Sequence, residues 1–367
     1  MTGGIDILVV GLGPAGASAA AAAASAGARV LAADRRAAPG EPVQCAEFVP
    51  AALGAETAAV AKAALQEIAA METFLGDAPP LRTPDFRGIM IDRAAFDAAL
   101  VEEARQAGAA IMTGTALQGI GADGAVVLGD RALRPKVVIG ADGPRSTVGR
   151  LAGHVNRALA EARQITISLK APHDATDIFL RPEIEGGYGW LFPRGGEANL
   201  GLGVVPRARD RLKPLLDELH AELVRQGRVG PVAHRLTGGK IPVGGIVGPL
   251  GRIGPVEVLL AGDAAGLTHP ITGAGIAAAV LSGRLAGAAA AEMAAGRAVA
   301  AEDYTEELHD LYGPSLALAL RRRAELLAAY DSGGRPSGAQ LRRAWIAWPD
   351  YRAADPLTPE TEAKEPA

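Results

Sequence analysis

The hydrophobic positions of this chain form short continuous runs near its start. Apolar runs at Ile5–Val10 and Arg29–Ala33 flank an alanine-rich stretch, Ala17–Ala26. Continuous apolar runs of this length indicate strands that are buried on both faces, and the small residues between them predict a helix packed closely against those strands. The chain is therefore predicted to open with a βαβ unit.

The middle of the chain has a different pattern, in which apolar and polar positions alternate. Alternation with period two predicts an antiparallel sheet that buries one face. The alternating segments are Gln164–Lys170, Asp177–Arg181, Gly187–Phe192 and Ala198–Val205. Between the two regions we predict a helical stretch to about residue 70, a helix that starts near residue 92 and a strand pair around residues 111–128.

The turn after the first strand carries glycines at the spacing of a dinucleotide-binding loop. The strand runs into GLGPAG, which contains Gly11, Gly13 and Gly16. Gly11 permits a tight turn, Gly13 lets a pyrophosphate approach the backbone, and Gly16 lets the helix pack on the strand. The second strand ends at Asp34, eighteen residues after Gly16, close to the interval at which an acid binds an adenosine ribose. This unit is predicted to bind a dinucleotide.

Two later apolar runs also end in an acid. VVIGADGPRSTVGR contains Asp142, and GDAAGLTHPITGAGI contains Asp263, Gly273 and Gly275. An Asp-Gly pair such as that at Asp142 is usually a surface turn. The second segment instead indicates a strand end, a buried acid and a helix start, where backbone N–H groups and the helix dipole favour negative charge. It predicts a cradle for the reactive end of a flavin, with Asp263 accepting hydrogen bonds from ribityl hydroxyls.

Composition excludes several other functions. The net charge is −4 and the basic residues are scattered, so we expect no nucleic-acid partner. Cys45 is the single cysteine, which excludes an internal disulfide and a cysteine-ligated iron–sulfur cluster. No metal site is predicted. Residues 5–33 are apolar, but glycines interrupt them, so they match the βαβ unit better than a membrane span. We therefore expect a cytoplasmic protein. Its oligomeric state is left open. Tyr304–Tyr330 predicts a terminal helix with a solvated basic face, or a peripheral membrane contact.

Three motifs in this order resemble those of FAD-dependent oxidoreductases of the aromatic-hydroxylase and geranylgeranyl-reductase superfamily: GLGPAG, ADGPRS and GDAAG. The resemblance covers most of residues 5–290. GYGWLFPRGGEANLGLG at 187–203, PVQCAEF at 42–48 and IDRAAFDAAL at 91–100 resemble the geranylgeranyl reductase family in particular. Phenolic hydroxylases of the superfamily usually have histidine after GDAA and asparagine after the later glycines, where this chain has Gly266 and Ala277. These departures favour a reductase over a hydroxylase.

The resemblance implies an α/β fold in which a Rossmann-type FAD-binding domain is interleaved with an antiparallel β-sheet substrate domain. We assign residues 1–160 and 236–300 to the FAD-binding domain and residues 161–235 to the substrate domain. Residues 301–352 are predicted to form a C-terminal helical segment. Residues 353–367, which are polar and rich in proline and glutamate, are predicted to form a disordered tail.

The motifs and the resemblance together predict the FAD contacts. Arg93 would reach the pyrophosphate by a charge-assisted hydrogen bond, and Leu117 would contribute its backbone. The predicted contacts are Gly11, Gly13, Ala15, Gly16, Asp34, Arg35, Cys45, Ala46, Arg93, Leu117, Asp142, Asp263, Gly273, Gly275 and Ile276.

Aromatic residues mark the predicted substrate side. Tyr188, Trp190 and Phe192 alternate with period two and therefore share one face of a strand. They form either an ordinary core face or a wall for a long apolar substrate. The family implies that reduced FAD delivers a hydride equivalent from N5 to a carbon–carbon double bond, which requires an acid near the substrate. Cys45 is our candidate acid, although buried cysteines are usually inert. His269 is the alternative acid and, with the three aromatic residues, a predicted substrate contact, unless it only hydrogen-bonds the backbone at a helix entry.

Two departures from the family bear on the substrate. Phe48 stands where the family usually has glycine, and the segment after residue 290 is short, so we expect a substrate smaller than a digeranylgeranyl lipid. Three functions stay open: an alkene reductase for an isoprenoid or other apolar substrate, an NAD(P)H-dependent flavin monooxygenase for an aromatic or polyketide ring, and an electron-relay flavoprotein. No second nucleotide fingerprint identifies the electron donor, and we expect NAD(P)H or a reduced ferredoxin or flavodoxin in that role.

Overall fold

The computed structural model describes residues 4–76, 78–297 and 299–353 of the chain. The strands, in chain order, are β1 (Ile7–Val10), β2 (Val30–Ala33), β3 (Phe48–Pro50), β4 (Ala64–Leu75), β5 (Leu81–Ile91), β6 (Ala110–Met112), β7 (Leu117–Ile120), β8 (Val126–Leu128), β9 (Arg131–Leu133), β10 (Val137–Gly140), β11 (Leu159–Leu169), β12 (Ala175–Leu180), β13 (Gly189–Arg194), β14 (Glu197–Val204), β15 (Val229–Pro242), β16 (Leu250–Ile253) and β17 (Val256–Leu260). The α-helices are α1 (Pro14–Ser25), α2 (Leu53–Glu56), α3 (Ala59–Ala63), α4 (Arg93–Gln106), α5 (Thr147–Leu151), α6 (Leu212–Arg225), α7 (Ile276–Ala294), α8 (Ala300–Asp331) and α9 (Gly338–Arg343).

The first large sheet has six strands in the order β16-β17-β10-β1-β2-β6. All of its pairings are parallel except that of β16 with β17. Its central strands are fully buried, which explains why they appear in the sequence as continuous apolar runs. Helices α1, α4 and α7 pack on this sheet and on one another. The predicted βαβ unit is confirmed, with the first helix starting three residues earlier than expected.

The second large sheet has eight strands in the order β15-β11-β14-β13-β12-β4-β5-β3. Its pairings are antiparallel apart from the parallel contact between β12 and β4. The four alternating segments of the sequence correspond to β11–β14. One face of the sheet packs on α6, and the other carries the aromatic residues. The mixed α/β fold with an antiparallel sheet and a helical C-terminus is confirmed.

Residues 64–91 differ from the expectation. The predicted helical stretch to residue 70 ends at Ala63, and β4 begins at Ala64. The alanine, glutamine and glutamate residues of β4 favour a helix, but pairing with β5 and β12 makes this segment a strand. Strands β3, β4 and β5 join the eight-stranded sheet, although the sequence-based division placed them with the FAD-binding residues. The predicted pair around 111–128 is also divided, because β6 joins the six-stranded sheet whereas β7 and β8 pair in a small sheet with β9.

The C-terminal helices cover the aromatic face of the eight-stranded sheet. Ala319 of α8 packs there with Trp345 and Tyr351, which follow α9. The predicted solvated basic face of this segment is only partly found, since Arg322 and Arg323 are 2% and 9% exposed. The predicted disordered tail lies outside the described residues, except for residue 353.

Helix α7 is long and apolar enough to cross a membrane by length and composition. Half of its apolar stretch is buried within the fold. A Cβ on Gly283 would lie 2.1 Å from the carbonyl oxygen of Ala15, and one on Gly287 would lie 2.3 Å from that of Ala19. The two helices α1 and α7 therefore pack backbone to backbone, as core helices do.

Candidate cofactor and substrate site

The turn between β1 and α1 is shaped by glycines that have no room for a side chain. Gly11 has φ of +102°, and a Cβ there would lie 2.3 Å from the carbonyl oxygen of Ala141. A Cβ on Gly16 would lie 1.8 Å from the carbonyl oxygen of Gly11. The space next to Gly13 is open, with no atom within 4 Å of its Cβ position, and α1 has no side-chain cap. Its free N–H groups can thus receive a pyrophosphate beside Gly13, as the sequence predicts.

Asp34 lies at the end of β2, beside this turn. Its carboxylate accepts hydrogen bonds from the backbone N–H groups of Leu12 (2.8 Å) and Arg36 (2.7 Å). These bonds hold the carboxylate in place and leave lone pairs that can accept ribose hydroxyls. The neighbouring predicted contact, Arg35, is exposed.

A second helix start lies at the other predicted flavin motif. Asp263 is in a 3-10 turn, Gly262–Ala265, between β17 and α7. Its Oδ1 accepts a hydrogen bond from the Thr268 hydroxyl at 2.6 Å. Burial raises the pKa of Asp263, while that hydrogen bond and the charge of Arg93 oppose the rise. Helix α7 has Gly275 at its N-cap and no side-chain cap.

The carboxylate of Asp263 faces the start of α7. A Cβ on Gly275 would lie 3.3 Å from Asp263 Oδ1 and 2.9 Å from Thr268 Oγ1. Gly273 has φ of +69°, and Ile276 is the first residue of the helix. An uncapped helix start beside a carboxylate offers N–H donors and an acceptor together, which fits a ligand that carries both carbonyl and hydroxyl groups. The two uncapped helices therefore fit the two ends of a flavin dinucleotide.

Gly266, the position at which hydroxylases differ, is fixed by packing. It adopts a left-handed conformation with φ of +74°, and a Cβ there would lie 2.1 Å from the carbonyl oxygen of Gly245. This chain therefore has no space for a histidine at that position.

Cys45 lies in a loop that hydrogen bonds attach to the eight-stranded sheet. The half-buried thiol accepts a hydrogen bond from the N–H of Glu47 at 3.2 Å. The carbonyl oxygen of Cys45 accepts one from Gln164 Nε2 (3.1 Å), and that of Ala46 accepts one from Asn199 Nδ2 (3.3 Å). Gln164 in turn accepts a hydrogen bond from the indole of Trp190 at 3.0 Å. The cysteine loop and the aromatic strand thus form one hydrogen-bonded unit.

Arg93 begins α4 and lies next to Cys45. Its Nε is 2.7 Å from Oδ1 of Asp97, which is buried, and its guanidinium also contacts the Cys45 side chain. Burial disfavours the charged form of Arg93, but Asp97 and Cys45 outweigh that effect and raise its pKa. Arg93 therefore stays cationic, and its predicted contact with a pyrophosphate remains a prediction.

The predicted aromatic wall is enclosed within the protein. Trp190 and Phe192 are 7% and 8% exposed, with ring centroids 6.4 Å apart. Tyr188 lies 5.8 Å from Trp190 and 4.7 Å from Trp345. Burial raises the pKa of Tyr188, and its hydroxyl donates to the carbonyl oxygen of Thr272. The wall thus contacts the loop after the flavin motif on one side and the C-terminal helices on the other.

His269 is bound by its own loop. Its Nδ1 accepts hydrogen bonds from the N–H groups of Ile271 (3.3 Å) and Thr272 (3.2 Å), and its Nε2 lies 3.4 Å from the Tyr351 hydroxyl. Burial lowers the pKa of His269 to about 4. A neutral imidazole with both nitrogens in use suits the backbone-binding alternative better than an acid.

Two predicted contacts have other partners in the structure. The carboxylate of Asp142 accepts hydrogen bonds from the Ser146 hydroxyl and from the N–H of Thr147 (2.6 Å), so it stabilises the start of α5. Leu117 begins β7 in the small sheet. Cofactor contacts at these two residues would have to be made through the backbone, and they remain predictions.

Glu47 is a functional candidate that the sequence analysis did not identify. Its side chain is 1% exposed and accepts hydrogen bonds from Asn199 (2.8 Å) and Arg235 (3.1 Å). An acid between the apolar residues of PVQCAEFVP was a visible signal, because a buried charge requires partners. Those partners are 152 and 188 positions away along the chain, so no local pattern indicates them.

A separate group at the sheet, formed by Glu72, His173 and Asp177, has metal-ligand geometry. Arg82 pairs with Glu72, and Arg228 and His173 pair with Asp177. These partners already balance the carboxylates, so the group is an ion-pair network.

The chain is similar to known proteins in both sequence and structure. No family model matches the chain. A digeranylgeranylglycerophospholipid reductase of Methanopyrus kandleri is 34% identical over 310 residues, which are 78% of this chain and 77% of that protein. The crystal structure of a geranylgeranyl bacteriochlorophyll reductase-like protein from Thermoplasma acidophilum has 27% identity and a TM-score of 0.79, with 88% of each chain covered. PqsL of Pseudomonas aeruginosa, a probable FAD-dependent monooxygenase, has 20% identity and a TM-score of 0.68 over 89% of this chain and 96% of its own, which shows a shared fold.

Proposed function

Because the chain belongs to the geranylgeranyl reductase family of FAD-dependent oxidoreductases, we propose that it reduces carbon–carbon double bonds of an isoprenoid substrate. FAD is its cofactor. The observation that carries the proposal is the link between the aromatic strand and the cysteine loop, from Trp190 through Gln164 to Cys45. This link brings the buried aromatic strand next to the Cys45 thiol, a side chain that can exchange a proton.

Bound, reduced FAD supplies the hydride equivalent for such a reduction. The N–H groups at the starts of α1 and α7, with Asp34 and Asp263, are the groups that would hold it. Tyr188, Trp190 and Phe192 would orient an apolar substrate and exclude water, which prevents side reactions.

We propose Cys45 as the proton donor to the substrate. Its thiol accepts a hydrogen bond from the Glu47 N–H at 3.2 Å, which defines its position. His269 is the weaker candidate because its Nδ1 accepts two backbone hydrogen bonds and burial lowers its pKa to about 4. We propose that His269 contacts the substrate instead.

The size of the substrate follows from the packing of Phe48. A Cβ on Gly88 would lie 2.1 Å from a ring carbon of Phe48, so the ring lies directly on this glycine. The ring stacks on Phe86, with centroids 5.5 Å apart and an interplanar angle of 7°, and lies 6.0 Å from Phe192. This aromatic group fills the end of the wall, which supports a substrate smaller than a digeranylgeranyl lipid.

The donor and the location are also proposals. We propose NAD(P)H, or a reduced ferredoxin or flavodoxin, as electron donor and the cytoplasm as location. The apolar substrate would reach the protein by peripheral contact with a membrane.

An anaerobic titration tests the proposed function. The purified holoprotein is reduced chemically and mixed with isoprenoid alkenes such as geranylgeraniol or a geranylgeranyl lipid, while flavin absorbance is recorded. Reoxidation by an alkene without oxygen supports a reductase. Reoxidation by oxygen alone, with hydroxylated aromatic products, would identify a monooxygenase instead, and reoxidation only by a protein acceptor would identify an electron relay.

A further inference from the structure

Glu47 combines a buried charge with an unusual backbone conformation. It has φ of +71°, in the left-handed region that residues with a side chain rarely adopt. Its side chain is 1% exposed. Such a conformation persists only where the surrounding structure holds it, and it is concentrated at functional sites.

The surrounding residues hold the carboxylate of Glu47 in place. Oε1 accepts a hydrogen bond from the N–H of Arg93 at 3.2 Å. Oε2 accepts from Asn199 at 2.8 Å and from Arg235 at 3.1 Å, and it lies 3.5 Å from Arg194 Nη1. The carboxylate therefore joins the start of α4 to strands β13, β14 and β15.

The backbone of the same residue holds the cysteine. Its N–H donates to Cys45 Sγ at 3.2 Å, and its carbonyl oxygen accepts from the N–H of Ile91 at 2.9 Å. The left-handed turn directs this N–H at the thiol. We propose that Glu47 is the positioning residue that fixes the Cys45 thiol toward the reacting centre, a role that rests on the proposed function for its catalytic meaning.

The charge on Glu47 is essential to this role. Two guanidinium groups, those of Arg194 and Arg235, share this one carboxylate. Thr166 donates a hydrogen bond to the side-chain carbonyl of Asn199 at 3.0 Å, which turns the Asn199 amide nitrogen toward Glu47. A glutamine in its place would keep one acceptor but direct an NH2 group at these donors. Glu47→Gln should therefore release the loop.

The single cysteine of the chain allows a test that does not depend on turnover. The alkylation rate of Cys45 by iodoacetamide is measured on the substrate-free, FAD-loaded holoprotein. We expect the rate to rise about tenfold or more in Glu47→Gln, because the thiol is no longer held in its half-buried position. A rate that falls, or that stays within about threefold of the native rate, would overturn the proposal.

Two further variants separate the causes. Glu47→Gly accepts the left-handed backbone without strain but lacks the carboxylate, so it should show the same rise; a native rate would overturn the proposal. Asp177→Asn removes the charge of another buried acid in the same sheet, one paired with His173 and Arg228. The alkylation rate of this control should remain native, whereas an equal rise would show that any loss of buried charge loosens the loop.

A double-mutant cycle connects Glu47 to the chemistry. Anaerobic flavin reoxidation by the alkene is compared in Cys45→Ala, Glu47→Gln and the double variant, each reconstituted with FAD. If Glu47 acts through Cys45, the reoxidation rate of the double variant is within about threefold of the rate of Cys45→Ala. Effects that multiply would show that Glu47 acts separately. If the native protein itself fails to react with alkenes, the proposed function fails while the alkylation result still decides the positioning role.

Discussion

At the residue scale, the fold itself provides partners for the charges along the predicted cofactor site. Arg93 pairs with Asp97, Asp34 binds two backbone N–H groups, and Asp263 binds the Thr268 hydroxyl. An unpaired buried charge costs several kcal/mol, so these contacts are needed for stability. They also hold each group in one orientation, which reduces the ordering cost when a ligand binds.

His269 makes a prediction about stability and pH. Burial lowers its pKa in the folded state to about 4 from an unfolded value of 6.5. The unfolded chain therefore takes up a proton between these values while the folded chain does not, so the contribution of His269 is fully present above pH 6.5 and is lost as the pH falls toward 4. The full shift corresponds to about 3 kcal/mol.

Urea denaturation between pH 4 and 7.5 measures this contribution. In His269→Gln, which keeps an acceptor for the Ile271 and Thr272 N–H groups, the free energy of unfolding should fall less steeply with decreasing pH than in the native protein. Parallel pH profiles for the two proteins would show that His269 takes up its proton in the folded state as readily as in the unfolded chain.

The residue types that sequence reasoning identified are those with local causes. Gly11, Gly16 and Asp34 belong to a strand–turn–helix unit whose geometry depends on a few neighbouring positions. The carboxylate of Asp142, by contrast, turns to α5, a choice that an Asp-Gly pair does not reveal. The role of Glu47 depends on partners in other strands and could not be predicted.

At the element scale, the proposed cofactor site depends on two helices. Helices α1 and α7 both begin without a side-chain cap and pack on each other through glycines. Their close contact places the positive ends of two helix dipoles on one side of the six-stranded sheet, because both helices follow its parallel strands. We therefore expect the packing of these helices to affect cofactor binding.

Gly283→Ala tests this packing. The new methyl group would lie 2.1 Å from the carbonyl oxygen of Ala15, so α7 must shift away from α1. We expect a loss of about 1–3 kcal/mol in the free energy of unfolding, together with weaker FAD retention. Both are measured on one preparation, by denaturation and by the ratio of flavin to protein absorbance.

Gly54→Ala is the matched control. Gly54 lies in α2, and its Cβ position meets only a methyl of Val60 at 3.9 Å. Alanine there should leave FAD retention unchanged and raise stability by up to about 1 kcal/mol. If Gly283→Ala behaves like this control, the close packing of α1 and α7 does not support the cradle.

The elements that were predicted well have patterns that match their burial. Strands β1, β2 and β10 are buried on both faces, as their continuous apolar runs predict. The prediction of a single buried face is wrong for β12–β14, which are buried almost throughout because α6 packs on one face and the C-terminal segment on the other. Strand β4 was missed, since its sequence ALQEIAAMETFL has the composition of a helix. Its partners β5 and β12 are what make it a strand.

At the scale of the whole molecule, the C-terminal segment closes the aromatic face. Trp345 and Tyr351 pack in one cluster with Trp190 and Phe192, although they are far away in the sequence. A contact of this kind has no local signal, so the sequence indicated the aromatic wall but not its cover. The cover keeps water away from the aromatic face, as the proposed reduction requires.

Phe48 should set the size of the substrate. Phe48→Ala removes the ring that covers Gly88 and stacks on Phe86, so longer or two-chain isoprenoids gain space. We expect the ratio of kcat/KM for a digeranylgeranyl lipid to that for geranylgeraniol to rise about tenfold or more.

Phe74→Ala is the control for Phe48. It removes a ring that stacks on Phe179 at 5.0 Å, and Phe179 belongs to the cluster on the α6 face. This variant should leave the ratio native. An unchanged ratio in Phe48→Ala would show that Phe48 does not limit the substrate.

The most direct test of the account is the mass of the product. Reduced holoprotein is incubated anaerobically with geranylgeraniol in deuterated water, and the product is analysed by mass spectrometry. The account predicts the gain of two hydrogens across a double bond and no added oxygen. Both are gained as deuterium, because the hydrogen on N5 of reduced flavin exchanges with the solvent. The account would be contradicted if no reduced product formed without air and the product formed in air contained a new oxygen.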